Sequence, residues 1–340
     1  MDIANMIEIK TLHHFPNKLQ KEWDTLVKAS AVNVPFLRFG YLKQWWKTKG
    51  GGEWTDGELI LFLGYQEGTL IGIAPFFTTN DDGKTFFRLV GSVEISDYLD
   101  LIAAPEHYIV FFQSILSYME HNLAWDEIVL ENIPAHSPLL QYIDEHQELE
   151  ISSLILERSY VAPEVTLPES WESYLASLDK KQRHEVRRKI RRVEQDEIQS
   201  RFYHIENEND LDLTAQTFLD LMKQDTQKSA FLTPEMQAHM HDLMEWSYQE
   251  GILYLCFLEI DQVTAASYFC FDDGKKIYIY NSGFNNDMRR FSPGWVLLSY
   301  LIQWAIENSR TAVDFMRGSE SYKYKFGGVD KLLYRVSIAR

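Results

Sequence analysis

The chain has 340 residues, 45% of them hydrophobic and 14% aromatic, which is ample for packed interiors and more than one ordinary core holds. Formal net charge is −17, unevenly spread: residues 1–170 carry 11 Lys/Arg against 25 Asp/Glu, and residues 171–340 carry 22 against 25. The first half therefore repels polyanions, so an anionic ligand is expected in the second half.

No apolar run reaches the roughly 18 residues that span a bilayer. The opening MDIANMIEIK lacks the basic and apolar regions of a signal peptide. The two cysteines, Cys256 and Cys270, lie in apolar strand-like runs and read as core thiols in a reducing, cytoplasmic setting. The histidines are scattered, and a helix would splay the His239/His241 pair apart, so no metal is expected.

In chain order, MIEIKTL reads as a strand, and KLQKEWDTLVKA and FLRFGYLKQWWKTK as helices. ELILFLGYQEGTLIGIAPFFTT holds two apolar runs around Gln66-Glu67-Gly68, a hairpin signal. FFRLVG and DYLDLIAA continue the strands, HYIVFFQSILSYMEHN is a helix, and EIVLENI a further strand. In the second half RFYHIEN is a strand, and LDLTAQTFLDLMKQ and TPEMQAHMHDLMEWSYQEG are helices. LYLCFLEI, VTAASYFCF and KIYIYNSGF form a meander with turns at Asp261-Gln262 and Asp272-Asp273-Gly274. A helix from residue 293, TAVDFMR and LLYRVSIAR close the chain. Each half thus reads strand, two helices, antiparallel meander, helix, strand. The expected architecture is a repeated α+β unit, with domains at 1–160 and 161–340. Trp45, Trp46, Trp54, Phe86 and Phe87 read as core rather than a sugar-stacking face.

Between the halves, residues 170–196 form a basic, mostly helical segment with a break at Ser177 or Asp179. Residues 180–192 carry eight Lys/Arg and one Glu, with Arg183, Arg187 and Arg191 in an i,i+4 row. Such a row is either a solvated face or an anion site, and repulsion among its charges favours a nearby anion.

The stretch RRFSPGW at 289–295 follows a strand and opens a helix. Ser292 suits the N-cap, Pro293 the first helical position, and Gly294 a close ligand approach. Arg289 and Arg290 would add charge-assisted bonds to a diphosphate at that N-terminus. The equivalent turn of the first half, IAAPEHYIV, has no glycine or basic residue and places Glu106 at the helix start. That slot is expected to have lost anion binding.

R-x-x-S-x-G at 289–294 resembles the pyrophosphate-binding Q/R-x-x-G-x-G/A signature of the GNAT acyltransferases, with Ser292 at the first glycine. SDY at 96–98, SW–YL–SL–KK–R at 170–183, GF with SPG at 283–294, and DF–RG–E–YK at 314–323 extend the likeness. Together they resemble the BioF2-like/CelD-like acetyltransferases, relatives of the FemAB peptidyltransferases. The resemblance implies tandem GNAT-like domains, an acyl-CoA co-substrate held by residues 289–295 including Trp295, and carbonyl-binding backbone near Tyr280, Ser282 and Gly283. It leaves Glu320 as the first choice of base, Asp314 as a second carboxylate, and Tyr322 as an acid. Tyr324 is a second possible acid; Asp97, Tyr98, Arg183, Arg187 and Lys323 are the candidates for acceptor binding, with Lys325 beside them. Three functions follow: acyl-CoA-dependent transfer to an amine or hydroxyl of a small or cell-envelope precursor, aminoacyl-tRNA-dependent transfer, and a non-catalytic interaction module.

Overall fold

The computed structural model of the chain describes residues 7–145, 153–195 and 197–340. Met6, the first residue of the expected opening strand, lies outside them, as do residues 1–5 of the leader reading and Asp196 of the basic segment. The chain divides into two compact units, one of residues 1–160 with 332–340, the other of residues 161–331.

The first unit opens with β1 (Glu8–Leu12), α1 (Gln20–Ala29) and α2 (Phe39–Gly52). A single 3₁₀ turn at Pro35–Leu37 stands where the second helix was expected to begin, because Pro35 favours a first turn but not what precedes it. At the far end Lys49, Gly50 and Gly51 all adopt left-handed angles, which stops the helix. The hairpin of β2 (Leu59–Gln66) and β3 (Thr69–Asp81) turns at Glu67-Gly68, both with positive φ. There follow β4 (Lys84–Leu89), β5 (Ile102–Ala103), α3 (Pro105–Asn122), β6 (Glu127–Pro134), α4 (Pro138–Glu145) and β7 (Ser153–Thr166), which runs on into the second unit. DYLDLIAA was expected as a whole strand, yet only Ile102–Ala103 pairs, because residues 90–101 fold into a buried irregular loop.

The second unit has α5 (Trp171–Ser177), α6 (Lys180–Val193), β8 (Ser200–His204), α7 (Leu211–Met222), α8 (Thr226–Phe231) and α9 (Pro234–Gln249). It continues with β9 (Leu253–Ile260), β10 (Val263–Asp272), β11 (Lys276–Phe284), α10 (Pro293–Glu307), β12 (Ala312–Asp314), α11 (Ser321–Lys325) and the start of β13 (Val329–Ala339), which from residue 332 belongs to the first unit. The basic segment breaks where expected, with Asp179 at the N-cap position of α6, although its side chain makes no capping bond.

The strands of the two units follow one plan. In the first, β1, β2, β3 and β4 pair antiparallel in sequence, β4 runs parallel to β6, and β6 is antiparallel to β13 through Leu333↔Pro134 and Ala339↔Glu127. In the second, β8 to β11 pair antiparallel, β11 runs parallel to β12, and β12 is antiparallel to β7 through Ala312↔Thr166 and Asp314↔Glu164. The first unit thus takes its last strand from the C-terminal end of the chain, whereas β12 pairs with residues 164–166 that open the second unit. The second domain, expected over 161–340, ends at Lys331, because residues 332–340 find their hydrogen-bond partners on β6.

Aromatic residues fill the first core: Trp23, Phe36, Tyr41, Trp45, Phe77, Tyr108 and Phe111 are fully buried, each worth roughly 2–3 kcal/mol of transfer free energy. In the second unit α10, apolar on most sides, packs on β9 and β10 through Val296, Leu297, Leu301, Ile302 and Ala305. Among the described residues no helix is long and apolar enough to cross a membrane.

Candidate active site

The site begins with a strand that outruns its neighbour. β11 pairs with β12 only over Lys276–Tyr278, opposite Ala312–Asp314. Beyond Asp314 the chain leaves the ladder, and the N–H of Phe315 donates to Pro163 O at 2.9 Å. β11 continues to Phe284 on β10 alone, with Tyr280 bulged between Asn281 and Ile279. Its end, from Ser282 onward, borders a cavity of about 470 Å³.

The cavity's upper wall is the start of α10. Residues 286–291 form a 3₁₀ helix rather than a plain loop, capped by Asn285 Oδ1 on the Asp287 N–H. Arg289 lies on its cavity side and folds back on Asn286, donating to Oδ1 through Nε at 3.1 Å and Nη2 at 2.7 Å. Ser292 then adopts left-handed angles, φ 52° and ψ 53°, and its hydroxyl makes no capping bond. Ser292 thus stands at the N-cap position as expected, but its backbone turn rather than its side chain opens the helix. A glycine at the matching place of the signature is explained by that angle. Pro293, Gly294 and Trp295 complete the wall and bring the N-terminal end of α10 to the cavity, where the Trp295 and Val296 N–H groups donate to Ser292 O at 3.0 and 3.2 Å. Gly294 is needed for a different reason than expected, since a Cβ there would lie 2.6 Å from the Phe284 ring.

Arg290 does not line the cavity. Its carbonyl accepts from Arg192 Nη1 at 2.5 Å, and its guanidinium lies over Phe291. The second cation at the site is instead Lys189 of α6, whose ammonium lies 3.8 Å from the centroid of the Trp295 ring. Burial lowers its pKa, and Arg188, Lys325 and Arg192 act in the same direction against Glu185. An anion between Lys189 and Arg289 would relieve that repulsion.

The opposite end of the cavity is formed by Ser282, Gly283, Tyr268, Tyr322 and Lys228. Gly283 packs against the end of α7: a Cβ would sit 2.6 Å from Leu221 Cβ and 2.8 Å from Met222 N. Tyr280 points elsewhere, into the rings of Phe269 and Phe271. Tyr322 is partly buried, and its phenol pKa is raised, first by burial and then by Glu320 and Cys270, so it stays a protonated donor. Tyr268 is held protonated in the same way, mainly by burial, and donates to Gly294 O at 3.2 Å.

Of the carboxylates, Glu320 is exposed and pairs with Lys323 Nζ at 2.9 Å. Its charge is felt by both Lys228 and Tyr322. Asp314 is buried on β12, and its Oδ1 accepts the Met316 N–H at 2.8 Å, which orders the turn out of the strand. Lys323 is 2% exposed and donates to the carbonyls of Met316, Arg317 and Gly318 at 2.9, 2.8 and 3.1 Å. It ties the 316–320 loop together, and the expected acceptor-binding role is corrected accordingly. Arg183 and Arg187 also lie away from the cavity, directed to α5: Arg187 pairs with Glu172 at 2.7 Å and Arg183 reaches Ala176 O at 3.4 Å.

Asp97 and Tyr98 are buried in the first unit, in the 90–101 loop. That loop is pinned by Tyr41 OH on Ile95 O, Asn132 Nδ2 on Ser96 O, Trp54 Nε1 on Ser92 O, and the Glu53 carboxylate on the N–H groups of Val93 and Glu94. It occupies the place between β4 and β5 where the second unit has an uninterrupted β11. Among the described residues, His241, Asp242 and Glu245 of α9 bring possible ligand atoms within 4.8 Å, although His239 faces the core.

Sequence reasoning missed Lys228 and Lys189. α8 was not recognised, although Asp225 two residues ahead of Gln227 is an N-cap signal that the side chain honours on Gln227 N and Lys228 N. Lys189 was one of eight cations on its helix, and only the packing of α6 against α10 distinguishes it.

Residues 180–324 match the family model described as an acetyltransferase (GNAT) domain. The matched segment lies within the second unit, and the chain as a whole shares the fold of GNAT-related solved structures. Among solved structures it is similar to FemX, at 10% identity over 97% of both chains with a TM-score of 0.67. It is similar also to the C-terminal domain of a putative lysylphosphatidylglycerol synthetase from Agrobacterium fabrum (12% identity, 95% and 92% of the two chains, TM-score 0.56). A tandem GNAT protein from the clavulanic acid biosynthesis pathway aligns at 9% identity over 97% and 98%, with a TM-score of 0.50. No curated protein matches the chain.

Proposed function

We propose that the second unit transfers an acyl group from coenzyme A thioester to an amine or hydroxyl of a small-molecule or cell-envelope precursor. The observation that carries this reading is the single cavity joining the α10 N-terminus, with Arg289 and Lys189 beside it, to the free edge of β11. Helix dipole and cations suit a diphosphate at one end, and the strand edge suits an extended amide-bearing arm and thioester at the other. Glu320 is the proposed base for the acceptor, and Tyr322, kept protonated by burial, the proton donor to the departing thiolate. The first unit serves structure: its counterpart slot holds residues 90–101, and Glu106 stands in the first turn of α3. The reading needs no metal, nucleic acid or membrane insertion, and the buried free thiols of Cys256 and Cys270 suit a cytoplasmic setting.

Calorimetric titration of acetyl-CoA tests it. Saturable binding is expected, with Arg289→Ala and Lys189→Ala each weakening Kd about five- to tenfold, equivalent to ~1 kcal/mol per phosphate contact. Absence of binding to the wild-type protein would sink the proposal. A second reading, transfer from aminoacyl-tRNA, is favoured by the exposed Lys180, Lys181 and Arg191 of α6. It requires tRNA binding that weakens steeply with salt and depends on those residues.

A further inference from the structure

We propose that Lys228 is a positioning residue of the transfer site: its ammonium fixes the Ser282 peptide on the free edge of β11 and sets a positive charge beside the carbonyl of a thioester lying there. This rests on the acyl-CoA reading given above.

The geometry is specific. Asp225 Oδ1 accepts the N–H groups of Gln227 and Lys228 at 2.9 and 3.0 Å, so Lys228 leaves α8 in its first turn. Its Nζ donates to Ser282 O at 2.5 Å, Ser282 Oγ at 3.0 Å and Asn281 Oδ1 at 3.0 Å. Asn281 Oδ1 also accepts the Ser282 N–H at 2.8 Å. The two side chains therefore bond both backbone groups of Ser282, the groups that a longer β12 would have paired.

A buried methylene chain with a neutral end would fill the same space without the cost of desolvating an ammonium. A lysine placed here, with all three protons directed at the strand edge, supplies charge as well as volume. Burial lowers its pKa to about 8, while Asp225 and Glu320 hold it up. Lys189 and Arg289 are the other cations lining the cavity, and the hydroxyls of Tyr268 and Tyr322 face it in neutral form. The ammonium is thus lost progressively as pH rises through about 8. The partial negative charge that grows on a thioester oxygen during attack is stabilised by such a preorganised cation, and the amine form lacks that effect.

The test uses acetyl-CoA labelled with carbon-13 at the carbonyl, bound to the full chain, with the carbonyl resonance followed from pH 6 to 10. In the wild type the bound resonance is expected downfield of free acetyl-CoA, with the displacement fading near pH 8. Lys228→Met should remove the displacement while Kd stays within about twofold, because the diphosphate contacts lie at the other end of the cavity. Lys228→Arg should keep it and carry it to higher pH. A wild-type displacement in Lys228→Met, or fading near pH 8 that survives in Lys228→Arg, overturns the inference. Should Lys228→Met lose its folding transition in urea, the pH profile of Lys228→Arg decides alone. Wild-type protein that fails to bind acetyl-CoA defeats the acyl-CoA reading and this one with it. Binding without dependence on Lys228 defeats this one only.

Discussion

Ser292→Gly should make the protein more stable. Ser292 is held at φ 52° and ψ 53°, in the left-handed region, where a side chain meets its own carbonyl at a cost of ~1–2 kcal/mol. Its hydroxyl makes no capping bond, so removing it forfeits no helix cap. Against the relief stands the greater freedom of glycine in the unfolded chain, ~0.5–1 kcal/mol. The net gain is on the order of 0.5–1 kcal/mol, which for a unit of this size raises Tm by ~1–3 °C. Differential scanning calorimetry of both proteins at one concentration and pH measures it. A fall in Tm of a degree or more would refute the reasoning, since it would mean that the hydroxyl contributes more than the backbone angle costs.

Gly283→Ala should act in the opposite direction. Its Cβ would press on Leu221 Cβ and on the backbone of Met222, which cannot move without lifting the end of α7, so a loss of ~2–3 kcal/mol is expected in urea unfolding. Asp100 predicts a pH dependence in the first unit. Burial raises its folded pKa from 3.8 to about 6, the largest influence, although bonds from Ser137, Tyr108 and Leu101 partly oppose it. The folded state therefore binds the proton more tightly than the unfolded one, and stability falls as pH rises from about 4 through 6. The full penalty, ~3 kcal/mol, stands above that window. Asp100→Asn keeps an oxygen for the Leu101 N–H and the Tyr108 hydroxyl. It should be more stable than wild type at pH 8 and not at pH 4, as chemical denaturation at the two pH values would show.

How far the sequence led depended on whether a signal was local. The meander of β9, β10 and β11 was legible because its turns are short and its strands apolar, and α10 because Pro293 marks its start so plainly. The role of Ser292 was misread because a serine before a proline suits an N-cap, and nothing local shows that the preceding 3₁₀ helix drives it left-handed. Lys323 and Lys228 show the same limit from opposite sides. Both are lysines on short helices; Lys323 was expected to bind the acceptor, and Lys228 was not singled out. One binds three carbonyls of its own loop, the other a strand edge more than fifty residues away. Burial of a cation depends on partners that spacing along the chain does not record.

The return of the last strand to the first unit has a consequence for how the protein comes to be made. The first unit's β6 takes its partner from residues 332–340, synthesised roughly 200 residues later, which at ordinary translation rates is a delay of about 10–40 s. Through that interval β6 presents an open edge, the kind that recruits strands from other chains. Folding in order of synthesis therefore cannot finish the first unit before the second. A nascent chain stalled before residue 332 holds a sheet that only its own missing strand, or a stranger's, can close.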